Sequence, residues 1–355
     1  MAASVFSFMR QVFWGFLEPS MSLITYLRDY SAKNLSESRS LALLNSTGEC
    51  RYRLDSESSA SLILPDGRTL GYAQYGQLST GRAIFYLHGF PGSRMEIASW
   101  DVVAMDMGAR LVAVDRPGIG WSSPQPDRTI LDHAKDVEHL AQHLNLSSYC
   151  VLGISGGGPY ALACAATLPA DELKAVSIVC GLGPPDMGYR EMNWSNWAGF
   201  TFIISYFPSF ARWYWRRQTA ARLDLSDAER FRRSRIDILK NVSKDHPKDV
   251  AVFGDVDLTR LYLRSSREAF AQGFDGFLLD GKLINNDFGF RIEDIRADLP
   301  IQLWYGKLDT YVPLSHGEQT AVRLGGRAKL RVEDETHASI STRREEILRE
   351  LVGAM

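Results

Sequence analysis

The residues best suited by type and spacing to do chemistry are Gly153-Ile154-Ser155-Gly156-Gly157. They lie between an apolar run, Tyr149 to Gly153, and a stretch from Gly156 to Leu168 that reads as a helix opening on glycines. A strand that turns sharply into a helix crowds its backbone around the turn. Glycines two before and two after a serine relieve that crowding, and the hydroxyl then projects at the top of the sheet. The helix start offers unpaired N–H groups and a positive dipole end to a developing anion. The spacing therefore predicts an activated serine at Ser155 and acyl-transfer chemistry.

A serine hydroxyl is a weak nucleophile near neutral pH, so it needs a base held by a third group. The candidates for both lie beyond the elbow in the chain. His337 sits in Glu335-Thr336-His337-Ala338, just past the strand-like run from Ala328 to Asp334, where a base could reach Ser155. His316, three residues beyond Pro313, is the alternative and reads as a solvated histidine at a helix start. For the acid, Asp309 follows the run from Pro300 to Gly306, and Asp186, beyond Gly181, is the alternative. An oxyanion needs two N–H donors. Gly156 supplies one. The other is expected from Phe90 in His88-Gly89-Phe90-Pro91-Gly92, where Gly89 lets the backbone approach a reacting carbonyl.

These groups need a frame, and the chain alternates strand-like and helix-like runs. Ser61 to Gly76 reads as a hairpin around Pro65-Asp66-Gly67. Strands are expected at 83–87, 110–115, 149–153, 174–181, 300–306 and 328–334. Helices are expected at about 95–107, 130–144, 156–168, 314–324 and 339–351. The alternation predicts an α/β fold with a mostly parallel sheet flanked by helices. It breaks between 186 and 297, which reads as a helical cap inserted between two strands, with Ser226-Asp-Ala-Glu229 as a capping box. The expected layout is an extension and linker over 1–57, a core over 58–185 and 298–355, and the cap over 186–297. Aromatic residues crowd positions 194–215 of the cap, which reads as a lid packed on the core, an apolar pocket or, with Arg216 and Arg217 beside them, a membrane-facing lid; Trp194 and Trp197 join Phe90 as candidate pocket residues. Arg212 to Lys240 carries nine basic and four acidic residues, which reads as solvated helix faces or, alternatively, a handle for an anionic substrate.

The motifs resemble those of the α/β-hydrolase superfamily in type and order: His88-Gly-Phe-Pro-Gly-Ser-Arg94, Asp115-Arg-Pro-Gly-Ile-Gly120, Gly153-Ile-Ser-Gly-Gly-Gly-Pro159, Gly306-Lys-Leu-Asp309 and His337. The chain looks most like lidded serine hydrolases of bacterial and fungal type. That resemblance, covering about 58–355, implies an eight-stranded sheet and a Ser155–His337–Asp309 triad under a cap. Epoxide hydrolases and haloalkane dehalogenases share the His-Gly-x-Pro loop but use Asp at the elbow, so Ser155 argues against both. Thr336 stands where many relatives have Gly.

Composition narrows the remaining classes. The chain has 355 residues, 40 Lys and Arg against 42 Asp and Glu, and a formal net charge of −2. That balance argues against a nucleic-acid partner. Four widely spaced cysteines make no disulfide framework, and His139 and His143 lack the HExxH arrangement of a zinc site. No dinucleotide fingerprint or Walker sequence is present. The expectation is no cofactor and no metal. Residues 1–30 are apolar but interrupted by Arg10, Glu18 and Arg28, too short a run for a spanning helix. They read as a packed helix or a peripheral membrane contact. Five glycosylation triplets begin at Asn34, Asn45, Asn145, Asn193 and Asn241, but without a signal peptide a cytoplasmic location is expected over a secretory one. The functional expectation is a serine hydrolase of the carboxylic-ester type, cleaving an ester or related acyl bond of a small apolar molecule. The alternatives are a triad reused for C–C cleavage, lyase or thioester-release chemistry, and a non-catalytic ligand receptor on the same fold.

Overall fold

The computed structural model describes residues 49–241 and 246–355. Eight strands form one sheet: β1 (Ser59–Ile63), β2 (Thr69–Gly76), β3 (Arg82–Leu87), β4 (Ala109–Val114), β5 (Tyr149–Ile154), β6 (Leu173–Val179), β7 (Ile301–Gly306) and β8 (Lys329–Glu333). Their spatial order is β1-β2-β4-β3-β5-β6-β7-β8. The pairings β1–β2 and β2–β4 are antiparallel, and every other pairing is parallel. Parallel strands covered on both faces read as continuous apolar runs. Phe85, Leu87, Val151, Val176, Ile178 and Leu303 face one apolar cluster. Ile84, Tyr86, Leu152, Ala175, Val179 and Trp304 face a second cluster. The two-residue period of a strand thus divides one sequence between two cores.

The helices covering the first face are α2 (Ile130–His143) and α3 (Gly158–Thr167). Those covering the second are α1 (Asp101–Asp106) and α12 (Arg344–Gly353). Thr129 starts α2, where its N–H donates to the Asp132 carboxylate at 2.8 Å, and Ile130, Ala134, Val137, Leu140 and Ala141 turn inward at helical spacing. The expected helix over 95–107 divides into a 3₁₀ turn (Glu96–Trp100) and α1. The last expected helix likewise starts with a 3₁₀ turn (Ser339–Arg343) before α12.

Between β6 and β7 the chain forms α4 (Trp194–Trp197), a π turn (Ala198–Ile203), α5 (Ile204–Tyr206), α6 (Pro208–Trp215), α7 (Asp227–Asn241), α8 (Pro247–Gly254), α9 (Val256–Ala269) and α10 (Asp275–Ile284). α11 (Leu314–Arg323) then joins β7 to β8. The capping box at the start of α7 is half made. The Ser226 hydroxyl accepts from the Glu229 N–H at 3.2 Å, but the Glu229 carboxylate turns to Arg232 and Arg233, which are close enough to outbid the backbone.

Two buried ionic clusters fasten α9 and α10 to the loops above the sheet. Arg94 meets Asp115 at 2.7 Å and Glu268 of α9 at 2.8 Å. Asp280 of α10 meets Arg116 at 2.7 Å and Arg128 at 3.0 Å, and also accepts from the Tyr160 hydroxyl. A third apolar cluster, including Ile119, Ile204, Phe270 and Phe277, fills the space beside them. The expectations for residues 1–30, and for the linker as far as residue 48, lie outside the described residues. The described end of that linker is tied down: Arg53 pairs with Asp101 at 2.7 Å, and Arg51 pairs with Asp255.

Candidate active site

β5 delivers the chain to Ser155, which takes φ +53°, a left-handed conformation rare for a residue with a side chain. Holding it costs about 1–3 kcal/mol. The neighbours show why glycine is needed there. A Cβ at Gly157 would lie 2.0 Å from the Leu87 carbonyl oxygen, and one at Gly153 would lie 2.5 Å from the Gly157 oxygen. α3 starts at Gly158, three residues on, so the serine sits between the strand's end and the helix's N-terminus.

Three expected residues meet in one hydrogen-bonded chain. Ser155 Oγ lies 2.9 Å from His337 Nε2, and His337 Nδ1 lies 2.7 Å from Asp309 Oδ2. The other Asp309 oxygen accepts from the N–H groups of Tyr311 (2.8 Å) and Val312 (2.9 Å), which fixes the carboxylate. The loops carrying Asp309 and His337 pass so closely that a Cβ on Gly306 would lie 2.1 Å from the Glu335 oxygen. Burial opposes a charged His337, but the Asp309 carboxylate bonded to its Nδ1 favours the charged form and holds the imidazole above its ordinary range. Burial pushes the Cys180 thiol up, so the attracting charge is that of Asp309. The donor atoms of Cys180, Asp309 and His337 lie within 4.8 Å of one another, the one such metal-capable trio among the described residues. Asp309 and His337 are already bonded to each other there.

The loop after β3 faces the serine from the other side. A Cβ on Gly156 would lie 3.1 Å from the Phe90 nitrogen, so the two expected N–H donors are neighbours. This loop is held at several points. Arg116 donates to the carbonyls of His88 (2.6 Å) and Gly89 (2.8 Å). Glu96 accepts from the Gly89 N–H at 3.1 Å and from the Tyr86 hydroxyl at 2.5 Å. Burial, assisted by Arg116, keeps His88 well below the usual imidazole range and therefore neutral. Burial also raises the Glu96 carboxyl against its hydrogen bonds.

Ser155, Gly156, Phe90 and His337 open onto a cavity of about 880 Å³. Its walls are largely aromatic and aliphatic, including Phe200, Phe210, Tyr214, Trp215, Leu261 and Tyr262. Glu96, Asp237 and Asp249 are its carboxylates, and no Lys or Arg lines it among the described residues. Phe90 is in the wall, packed on Phe277 and Phe200. Trp194 and Trp197 are not. Ser195, Asn196, Gly199 and Phe200 take that wall instead, and the phase of the helix turns both tryptophans outward. The described arginines of the 212–240 stretch do not line the cavity either, although other residues of that stretch do. Arg230 and Arg235 are buried among backbone carbonyls, and Arg232 and Arg233 pair with Glu229.

His316 is not on the surface as expected. It is fully buried, and its Nδ1 accepts from the Gly183 N–H at 3.0 Å. Burial lowers its pKa to about 4, so it is a neutral structural acceptor. Asp186 pairs with Arg323 at the surface, away from His337. Sequence reasoning missed Glu96, Tyr262, Tyr311 and the proximity of Cys180. Each is isolated in its own segment and carries no local signature.

Comparison with known proteins agrees with this architecture. The sequence model described as alpha/beta hydrolase fold matches residues 82–343. A non-heme haloperoxidase of Rhodococcus erythropolis is 28% identical over 271 residues, 75% of this chain and 88% of its own. Among solved structures, an esterase from Rhodococcus sp. ECU1013 is similar with a TM-score of 0.56 at 18% identity, over 83% of this chain and 98% of its own. A bromoperoxidase from Bacillus anthracis has a TM-score of 0.55 at 18% identity, over 82% of this chain and 97% of its own. At such identities the structural likeness is one of fold.

Proposed function

The chain belongs to the alpha/beta hydrolase fold family, and from that premise we propose that it is a serine hydrolase of an ester or related acyl bond. The observation that carries the reading is the bonded chain Ser155–His337–Asp309 at 2.9 and 2.7 Å, set on a strained elbow. His337 Nε2 takes the proton as Ser155 Oγ bonds to the substrate carbonyl carbon. The N–H groups of Phe90 and Gly156 receive the negative oxygen. His337 then passes the proton to the leaving alkoxide as the ester C–O bond breaks. Water, deprotonated in turn by His337, releases the acyl group and restores Ser155. Asp309 holds the imidazole in the tautomer that accepts at Nε2 and stabilises its charged form.

The cavity supports a neutral, largely apolar substrate, larger than a short acyl group alone would require. Its three carboxylates, with no described basic residue in the wall, favour uncharged or cationic groups over anions. The reading is tested with a fluorophosphonate probe and a p-nitrophenyl ester on the native protein and Ser155→Ala. Labelling and turnover are expected in the first and neither in the second. Labelling without turnover of any ester would favour another chemistry on the same triad, and no labelling would refute an activated serine.

A further inference from the structure

The helices that build one wall of the cavity carry a second aromatic set on their outer side. Trp194, Trp197, Phe202, Tyr206, Phe207 and Trp213 are between 39% and 71% exposed. They cluster along the chain, and several touch: Phe202 lies 5.3 Å from Tyr206 and 5.4 Å from Phe207 between ring centres, and Trp213 stacks at 5.4 Å on Phe210, which lines the cavity. Single exposed apolar residues need no explanation, but a contiguous patch marks a surface that something covers.

Charge identifies what covers it. From Met192 to Leu223 the chain has no Asp, Glu or Lys and four Arg. Arg212 and Arg222 are paired with Asp275 and Asp224. Arg216 and Arg217 are exposed and make no ion pair among the described residues, Arg216 lying 5.7 Å over the Phe274 ring. Arg217 lies 4.0 Å over the Trp213 ring, so the guanidinium and the aromatic patch form one surface. Tryptophan, tyrosine and arginine side by side suit the headgroup zone of a lipid bilayer, where rings lie among the acyl chain ends and cations meet phosphates.

We propose that this outer face of α4–α6 docks on an anionic membrane surface. The same helices present Ser195, Gly199, Phe200 and Tyr214 to the cavity, so docking would set the cavity's wall against the lipid phase. An apolar ester could then pass from bilayer to site without crossing water. That last consequence rests on the hydrolase reading, whereas the docking itself does not.

The test is sedimentation of the full chain with phosphatidylcholine vesicles, with and without phosphatidylserine. Binding is expected to require phosphatidylserine and to weaken with salt. In Tyr206→Ser/Phe207→Ser/Trp213→Ser, and separately in Arg216→Glu/Arg217→Glu, partition is expected to fall at least tenfold. None of these side chains lines the cavity, so turnover of a soluble short ester, or probe labelling, should stay within twofold and serves as the folding control. Binding by the native chain that both variants lose, with probe labelling retained but no ester turned over in any form, would keep the docking surface and refute only the ester hydrolase. Three results would overturn the proposal: no binding to either vesicle, unchanged partition in both variants, or a dimer of the native chain that the aromatic variant converts to monomer. The last would make the face a contact between two copies.

Discussion

At the scale of single residues, the proposed mechanism makes the titration of His337 decide when the site can work. Only the neutral imidazole accepts the Ser155 proton, so activity is present above the His337 pKa and lost as pH falls through it. The carboxylate of Asp309 stabilises the imidazolium, so this acid limb is expected above the ordinary histidine value of about 6.5. A kcat/KM profile on a neutral ester measures it in the free enzyme. In Asp309→Asn the limb should move to lower pH, while kcat falls by roughly 10³–10⁴ because the wrong tautomer is held. Ser155, Gly156 and Phe90 could be picked out in the sequence because neighbouring glycines announce a crowded backbone. Asp309 and His337 could be placed at strand ends. Glu96 could not, because its importance comes only from the Gly89 N–H and Tyr86 hydroxyl it meets in space.

At the scale of elements, α10 owes its place to one carboxylate. Asp280 is buried between Arg116, Arg128 and Tyr160, and Arg116 in turn holds the loop that carries Phe90. Removing it in Asp280→Ala leaves two buried guanidinium groups without their anion. A loss of about 3–5 kcal/mol is expected, read as a lowered denaturant midpoint. A midpoint change below about 1 kcal/mol would mean that water or a shifted helix compensates both arginines. Strands were legible because burial on both faces leaves short continuous apolar runs bounded by turns, and all eight fall within a few residues of their expected places. Helix phase in the 194–215 stretch was not legible. Aromatic residues occur on every side of these short helices, so no periodicity separates Phe200, which lines the cavity, from Trp197, which faces out.

At the scale of the whole molecule, the proposed hydrolase is expected to select substrates by the charge of its cavity. Against a p-nitrophenyl ester with a neutral acyl chain, one whose acyl chain ends in a carboxylate should lose at least tenfold in kcat/KM, about 1.4 kcal/mol. Equal turnover of the two would show that cavity charge does not select. The near-neutral total of the sequence hides this, because basic residues concentrated in the same helical segment point elsewhere. What the amino-acid order alone determined is the chemistry encoded between neighbours: the elbow glycines, the alternation that makes a sheet with two cores, and the sequence of nucleophile, acid and histidine. The tertiary structure alone decided which distant groups meet. Ser155 and His337 are separated by 182 positions, and His316 became a buried acceptor instead. The physical reason is range. Backbone crowding and strand periodicity act over a few residues, whereas the cavity, its charge and the exposed aromatic face exist only after the helices between β6 and β7 have packed on the sheet.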